Sequence, residues 1–215
     1  MAKVLGLKQM LQKKHKLLEH LPEDIKRSFG GLVEGFIMII WGLSGQGKSN
    51  LVMEFIKCLM PYGKVLYVGL EEGFEASMQN MILRHLNLDE HNGSIEFADH
   101  NMKIADLKIK LKKRKSAKWI VIDSLQYWKI SYAQYKELKE ECPGKGFIFI
   151  SHAKGKNPMS QVANDIRYDA GVKVRVHGFV AEPTSRYGGN KPYIIWKEGA
   201  MHCFGKKKVN RWERL

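Results

Sequence analysis

The segment GLSGQGKS, Gly42 to Ser49, restricts the possible folds of this chain more than any other feature. It satisfies the pattern G-x-x-x-x-G-K-[ST] in full, an apolar run at 36–41 precedes it, and a helix-like segment at 49–60 follows it. In this strand–loop–helix context the glycines permit tight turns, so that successive backbone N–H groups converge on phosphate oxygens. The helix N-terminus adds its positive partial charge at the same place. The alternative is a glycine-rich turn with an incidental lysine.

The spacing within the loop assigns roles to its side chains. Lys48 is expected to reach the β- and γ-phosphates of a bound nucleotide, and the Ser49 hydroxyl is expected to ligate Mg²⁺. ATP and Mg²⁺ are therefore the expected cofactors. The expected nucleotide-binding residues are Gly42, Ser44, Gly45, Gln46, Gly47, Lys48, Ser49 and Asn50.

A second apolar run, at 119–122, ends in a carboxylate, Asp123. This is the Walker B arrangement, in which an aspartate at the end of a neighbouring strand acts on the Mg²⁺ shell. Ligands of open α/β sheets bind beyond the carboxyl ends of the strands, so Asp123 and the phosphate loop are expected at the same edge. The alternative is that Asp123 opens a turn or caps a helix.

Two glutamates, Glu71 and Glu72, follow the predicted strand 65–70. A carboxylate at this point could orient and deprotonate the water that attacks the γ-phosphate. We expect Glu71 to be that base, with Glu72 turned toward the structure. The alternative is that both only begin the next helix, where acidic side chains oppose the helix dipole.

The pattern along the chain predicts an α/β fold with a mostly parallel twisted sheet flanked by helices. Runs such as FIMII and WIVI are apolar without alternation, as in strands that are buried on both faces. Antiparallel strands are expected as additions near the C-terminus. The predicted strands are 36–41, 65–70, 94–97, 119–122, 147–150, 172–176 and 192–196, and the predicted helices between the first five are 49–60, 74–86, 102–115 and 132–141.

Three parts of the chain are expected: an N-terminal helical extension at 1–30, an ATPase core at 31–204 and a basic tail at 205–215. Apolar residues at roughly helical spacing predict an amphipathic helix over 4–21. A short helix is expected next, with Pro22 in its first turn and Gly30 and Gly31 at its end. The tail, KKKVNRWERL, is expected to be mobile.

The charge balance, 36 Lys and Arg against 22 Asp and Glu, gives a net charge of +14 and favours a polyanionic partner. Ordinary solubility charge is the alternative. No apolar run approaches the roughly 20 residues that span a bilayer. The cysteines, Cys58, Cys142 and Cys203, form no C-x-x-C pair, which argues against a disulfide framework or a zinc site. We therefore expect a cytoplasmic protein without membrane contact.

Together these motifs resemble the RecA-like P-loop ATPases, and they are most similar to the core domain of bacterial RadA and the DnaB-type replicative helicases. The resemblance implies a catalytic glutamate at Glu71 and a residue that senses the γ-phosphate at His152. The alternative for His152 is a loop histidine bonded to backbone. The stretches that carry the resemblance are SFGGLVEGFIMIIWGLSGQGKS, VLYVGLEEGFEASMQNMILRHLN, WIVIDSLQ, FIFISHAKGKNP and, more weakly, TSRYGG.

The resemblance also implies partners. RecA-like proteins often carry a DNA-contacting loop at the position of 153–161, so nucleic-acid contacts are expected from Lys154, Lys156 and Arg167. TSRYGG is similar to K-N-R-F-G in RadA and K-x-R-N-G in the helicases, which implies that Arg186 is an arginine finger for a neighbour's nucleotide. Thr184 stands where the family often has Lys, so only one of the two cations is present. An ordinary surface arginine is the alternative.

The expected function is that of a Mg²⁺-dependent ATPase that acts on DNA, preferably single-stranded, in replication, recombination or repair, for instance of a phage or plasmid. A homo-oligomer is expected, with a hexameric ring as one candidate. One alternative is a small-molecule or nucleotide kinase, which would need an acceptor pocket and usually an arginine-rich lid. The other is a non-hydrolysing, ATP-dependent loader or switch.

Overall fold

The computed structural model describes residues 4–214, and a nine-stranded sheet forms its centre. Six neighbouring strands of this sheet are parallel to one another, and the apolar runs of the sequence form them. Each predicted strand is matched by an observed one. Boundaries differ by at most four residues, the largest difference being at the end of β5. The strands are β1 Ile37–Gly42, β2 Val65–Gly69, β3 Ile95–Ala98, β4 Trp119–Asp123, β5 Gly146–Lys154, β6 Asn157–Pro158, β7 Val172–His177, β8 Val180–Ser185 and β9 Tyr193–Ile194.

Helices connect the strands and lie against the sheet. Within residues 4–214 no helix is both long enough and apolar enough to cross a membrane. The helices are α1 Leu7–Leu11, α2 Glu23–Phe29, α3 Lys48–Leu59, α4 Ala76–His85, α5 Leu88–His91, α6 Ile104–Lys112, α7 Leu125–Trp128, α8 Tyr132–Glu141, α9 Gln161–Asp169, α10 Lys197–Phe204 and α11 Lys206–Glu213.

The strand order is β3-β2-β4-β5-β1-β7-β8-β9, with β6 paired to β5. All neighbours from β3 to β7 pair in parallel, so their carboxyl ends meet at one edge of the sheet. The central strand β1 is covered on both faces. Met38 and Ile40 lie in the core cluster beneath α2 and α3, whereas Ile39 and Trp41 lie in the cluster on the other face. Burial on both faces explains the unbroken apolar run.

The C-terminal strands extend the sheet at the β7 side. β7 is still parallel to β1, and only β8 and β9 are antiparallel additions. β8 was not predicted, because its sequence VAEPTS contains a proline, which argues against a strand in most contexts. Pro183 lies in the part of β8 that forms the edge of the sheet, because β9 pairs only with Val180 and Ala181.

The predicted helix over 4–21 is wrong. Only α1 is helical there, and the chain beyond it is extended against the segment 32–34. The Leu18 N–H donates to the Leu32 carbonyl at 2.9 Å, and the Glu34 N–H donates to the Lys16 carbonyl at 2.8 Å. A backbone that bonds in this way cannot also form helical hydrogen bonds. Leu18 is buried in the same cluster as Phe29, so this part of the extension shares the core of the sheet.

The prediction of a mobile basic tail is also wrong. Residues Lys206–Glu213 form α11, and Val209 is buried against Val180 and Ala200. The Trp212 ring meets the Phe204 ring edge-on at a centroid distance of 5.1 Å. One buried valine and one aromatic ring therefore fix a helix whose other residues are largely charged. The division into three parts at 30/31 and 204/205 remains a proposal.

Candidate functional site

The phosphate loop lies between β1 and α3, at the carboxyl edge of the sheet. Gly42 ends β1 so close to β7 that a Cβ atom there would lie 2.2 Å from the Val176 carbonyl oxygen. Gly47, the N-cap of α3, has a left-handed φ of 95°, which favours glycine. A Cβ at Gly47 would also press on Ile195 at 3.1 Å. The sequence pattern of the loop therefore has a steric cause at both glycines.

Lys48 begins α3, and its ammonium donates to the Leu43 carbonyl within the loop at 2.8 Å. Burial lowers the pKa of Lys48, while the carboxylates of Asp123 and Glu71 oppose that shift. These opposing influences indicate that the lysine lies in the electrostatic reach of both acids.

Asp123 ends β4 opposite Gly69 of β2. The Tyr67 hydroxyl donates a hydrogen bond to Asp123 Oδ2. Burial raises the pKa of Asp123 to about 6; the bond from Tyr67 and the charge of Lys48 lower it, and the nearby Glu71 and Glu72 carboxylates raise it further. Asp123 is thus a partly buried carboxylate that would be stabilised by a nearby cation.

Glu71 follows β2, and its backbone N–H donates to the Asp123 carbonyl at 3.2 Å. Its Oε2 lies 3.0 Å from His152 Nε2 and accepts from the Ser124 hydroxyl at 3.2 Å. His152 comes from β5, so residues from three neighbouring strands meet here. The adjacent Glu72 instead accepts from the Ser77 hydroxyl at 2.7 Å. The two glutamates therefore have different hydrogen-bond partners, but Glu72 is exposed and lines the same cavity as Glu71, so it is not turned toward the structure as expected.

One cavity of about 300 Å³ brings most of the predicted residues together. The loop, the two acids and the histidine all line it. The predicted residues that line it are Ser44, Gly45, Gly47, Lys48, Ser49, Asn50, Glu71, Asp123 and His152.

Gln46 was predicted to bind nucleotide but does not line this cavity. Its Oε1 accepts from the Gly178 N–H at 2.5 Å, which ties the phosphate loop to the turn between β7 and β8. Gly42 likewise contributes through its close packing on β7 rather than as a wall of the cavity.

The donor set suits Mg²⁺. The Ser49 hydroxyl and the Asp123 carboxylate are oxygen ligands of the kind that hard cations prefer, and Mg²⁺ usually completes its shell with water and phosphate oxygens. Among the described residues no group of three or more His, Cys, Asp or Glu side chains forms a metal site.

Arg186 lies at the opposite edge of the sheet. It follows the end of β8, and the register places Ser185 beside Val172, the first residue of β7. Its N–H donates to the Gly171 carbonyl at 2.9 Å, and its guanidinium donates to the Tyr168 carbonyl at 3.3 Å. Arg186 therefore does not join the cavity of its own chain.

The three predicted nucleic-acid residues lie around the β5–β6 hairpin. Lys154 ends β5, and Lys156 is in the turn, with its carbonyl accepting from the Trp41 indole at 3.0 Å. Arg167 of α9 donates to the Asn157 side chain at 2.8 Å and lies over the Trp41 ring at 5.6 Å. The hairpin and α9 thus place the three cations on neighbouring elements.

Several residues of the cavity were not predicted. Ser77, Met78, Met81 and Arg84 share one face of α4, and their helical spacing was visible in the sequence. Phe179 also lines the cavity, but it comes from the β7–β8 turn, and no local pattern indicates its proximity.

No protein-family model matches the chain, and no curated protein matches it. Among solved structures, the flagellar accessory protein FlaH from Methanocaldococcus jannaschii matches with a TM-score of 0.58 and 19% identity over 80% of this chain and 88% of that one. The KaiC-like protein PH0186 from Pyrococcus horikoshii matches with a TM-score of 0.57 and 22% identity over 76% of this chain and 80% of that one.

At these identities the likeness concerns the fold alone. It confirms the predicted fold class, an α/β fold with a mostly parallel sheet flanked by helices and with antiparallel strands added near the C-terminus. The more specific resemblance to RadA and the DnaB-type helicases stays a prediction.

Proposed function

We propose that this chain is a Mg²⁺-dependent RecA-like ATPase that hydrolyses ATP and acts on DNA, preferably single-stranded, in replication, recombination or repair. The observation that carries the proposal is the meeting of Lys48, Ser49, Asp123 and Glu71 around one cavity. A phosphate loop, a partly buried carboxylate and a second carboxylate held by hydrogen bonds are the parts that phosphoryl transfer to water requires.

In this proposal the loop N–H groups and Lys48 bind the β- and γ-phosphates, and the N-terminus of α3 adds its positive partial charge. Ser49 and Asp123 would hold Mg²⁺, which when bound neutralises charge on the phosphates. The burial that raises the pKa of Asp123 supports this role, because a cation beside the carboxylate offsets the cost of burying its charge.

Glu71 is proposed to orient the attacking water and accept its proton. Its carboxylate is held by His152 at 3.0 Å and by Ser124 at 3.2 Å, so its orientation is fixed before a substrate binds. His152, which also lines the cavity, is proposed to sense the γ-phosphate. Movement of its ring toward the phosphate would alter the contact with Glu71.

Action on DNA is proposed from the net charge of +14 and the cations Lys154, Lys156 and Arg167. Cations on a hairpin and an adjacent helix can contact a phosphate backbone without reading bases. The basic helix α6 is a weaker candidate, because Lys108 and Lys112 pair with Glu141, and Lys110 pairs with Glu96.

The test is phosphate release from ATP, with and without single-stranded DNA, across a salt series. The expected result is Mg²⁺-dependent release that DNA stimulates, with stimulation that fades as salt rises. Lys48→Ala should abolish release. Phosphate release that is equal with and without DNA at every salt concentration would contradict the proposed action on DNA, but it would be consistent with the proposed ATPase activity. Transfer of phosphate to a small acceptor instead of water would contradict the ATPase and favour a kinase.

A further inference from the structure

Part of one face of the sheet, at β7, is open to solvent. The register places Lys173 beside Ile39 of β1, and it places Arg175 beside Trp41 on the same face. Helix α9 packs on that face over β1, where Ile39 and Trp41 are buried. Farther out, Lys173 and Arg175 are partly exposed, whereas the valines of β7 are buried on the opposite face. The strand therefore presents alternate residues, both cations, to solvent.

The charge on this part of the face is mostly positive. Glu182 is the one acidic residue of β7 and β8. Its carboxylate lies 3.5 Å from the Arg175 guanidinium and 3.6 Å from His177 Nε2, beyond the usual length of a hydrogen bond. Lys173 lies across from Thr184, which carries no charge. The single carboxylate therefore neutralises the two cations only in part.

Helix α9 adds a third cation and an exposed aromatic ring at the border of this face. The Arg167 guanidinium lies 5.6 Å from the Trp41 ring centre and 5.4 Å from that of Tyr168. Tyr168 is 70% exposed, so most of its ring is accessible to a ligand. Cations beside an accessible aromatic ring are the combination that binds the phosphates and bases of single-stranded nucleic acid. The β7 strip consists of Arg167, Tyr168, Lys173 and Arg175.

We propose that the β7 strip binds single-stranded DNA, with its cations on successive phosphates and Tyr168 stacked on a base. Alternate residues of a strand are about 6.6 Å apart, which suits contacts to successive phosphates of an extended chain. Stacking requires an unpaired base, so the partner is a single strand and not a duplex. The inference rests on the proposed function, since the ligand is the DNA proposed above. Arg167 donates to Asn157 of the β5–β6 hairpin and so connects the strip to the cations there.

The first test is the affinity of the full chain for a fluorescent oligothymidylate, measured by anisotropy across a salt series with Mg²⁺ and a non-hydrolysable ATP analogue. The double variant Lys173→Gln/Arg175→Gln should bind more weakly. Its slope of log affinity against log salt should become shallower by about 1.4, because each phosphate contact of a single strand contributes about 0.7. Lys113→Gln/Arg114→Gln, at exposed positions just after α6, removes the same two charges and should leave the slope unchanged.

The second test separates stacking from charge. Tyr168→Ala should weaken binding about fivefold or more without changing the salt slope, because stacking on a base releases no counterions. Tyr168→Phe keeps the ring and should bind like wild type. An abasic oligonucleotide of the same length should bind wild type more weakly by the same factor. Tyr168→Ala should no longer distinguish it from oligothymidylate.

Equal weakening and equal slopes in the two double variants would overturn the inference, because net charge and not the strip would then govern binding. A loss of affinity confined to Lys154→Gln/Lys156→Gln would overturn it as well, and the proposed action on DNA would stand in both cases. Equal affinity of wild type for oligothymidylate and the abasic strand would overturn nucleic acid as the occupant and indicate another polyanion. Wild-type protein that binds no oligonucleotide even at low salt would contradict both the inference and the proposed action on DNA.

Discussion

Glu71 and Glu72 are neighbours in the sequence, but their carboxylates have different partners. Both line the cavity, but Glu71 is held by His152 and Ser124, whereas Glu72 is held by Ser77 of α4. In the sequence, Glu71 is indicated as the base by its position after the strand and by the resemblance to RecA-like ATPases. The hydrogen bonds give a physical reason for that preference, since a carboxylate that is held in one orientation can direct a water molecule.

Glu71→Gln is expected to retain nucleotide binding and to lower ATP hydrolysis by at least about 100-fold, since general bases contribute 10²–10⁴-fold. The amide keeps the shape of the side chain but cannot accept the proton of water. Binding is measured with a fluorescent ATP analogue and hydrolysis by phosphate release. Glu75→Gln, at an exposed position just before α4, serves as the matched control. Hydrolysis within a factor of about ten of wild type in Glu71→Gln would rule out this base.

Asp123→Asn is expected to stabilise the protein without nucleotide, and more so at pH 7.5 than at pH 5. Burial raises the pKa of Asp123 to about 6, so the folded protein binds more protons than the unfolded chain between about pH 4 and 6. Stability is therefore lost as pH rises through that window. The gain should be about 3 kcal/mol at pH 7.5 and roughly half of that at pH 5.

The measurement is the free energy of unfolding in denaturant at both pH values, with a metal chelator present. Any fixed cost of burying the amide cancels in the difference between the two pH values. Asp89→Asn, at an exposed position, should show no comparable pH dependence. A gain that is the same at pH 5 and pH 7.5 would contradict the raised pKa.

Single residues of the site were predictable where the chemistry lies in a local pattern. Lys48, Ser49 and Asp123 follow from a strand and the few residues after it. Tyr67 does not, because its hydroxyl reaches Asp123 only since β2 and β4 are neighbours in the sheet. Phe179 was missed for the same reason, as it comes from a turn far along the chain.

At the level of elements, α11 shows how little apolar surface is needed to fix a helix. Val209 is fully buried beside Val180, while most of the helix is basic and exposed. Charge composition alone therefore suggested a mobile tail. The signal that was available is the spacing of Val209 and Trp212, three residues apart and so on one face of a helix.

Val209→Ala is expected to destabilise the protein by about 2 kcal/mol, because it removes two buried methyl groups and leaves a cavity. Chemical denaturation measures the change. Lys207→Ala, on the exposed side of the same helix, is the control and should change stability by less than about 0.5 kcal/mol. Equal stability of wild type and Val209→Ala would mean that α11 is not held against the sheet.

The strands were more predictable than the N-terminal segment, and packing explains the difference. β1 and β4 are buried on both faces, so their sequences carry an unbroken apolar signal. The apolar residues Leu17 and Leu18 would suit a helix equally well. In the structure, however, Leu17 forms a β-bridge with Val33 and is half exposed. The choice between a helix and an extended segment depended on a partner strand that lies nearby only in the folded chain.

At the scale of the whole molecule, the position of Arg186 distinguishes action on the nucleotide of its own chain from action on the nucleotide of a neighbouring subunit. It lies at the sheet edge opposite the phosphate loop, so it cannot reach the cavity of its own chain. An arginine finger at this position could act only on the nucleotide of a neighbouring subunit. The sequence motif alone did not give this geometry, because it depends on the antiparallel course of β8.

Arg186→Ala is expected to bind nucleotide within about twofold of wild type and to hydrolyse ATP about 10³-fold more slowly, the lower end of the range for arginine fingers. Mixing Arg186→Ala with Glu71→Gln should restore part of the activity, since each supplies what the other lacks. Arg114→Ala, at an exposed position after α6, is the control. Light scattering should show that the mixed subunits assemble together. Co-assembly without any recovery of activity would contradict the shared site.

If Arg186 acts on the nucleotide of a neighbouring subunit, the phosphate loop at one edge and Arg186 at the other would make each subunit directional. Such subunits would join only head to tail, so their contacts would be heterologous and would either close into a ring or continue as a filament. In a closed ring every nucleotide would face an Arg186 from a neighbouring subunit, whereas in a filament the nucleotide of one terminal subunit would face none. Turnover per subunit would then report the geometry of assembly: it would stay constant with size for a closed ring and rise with length for a growing filament.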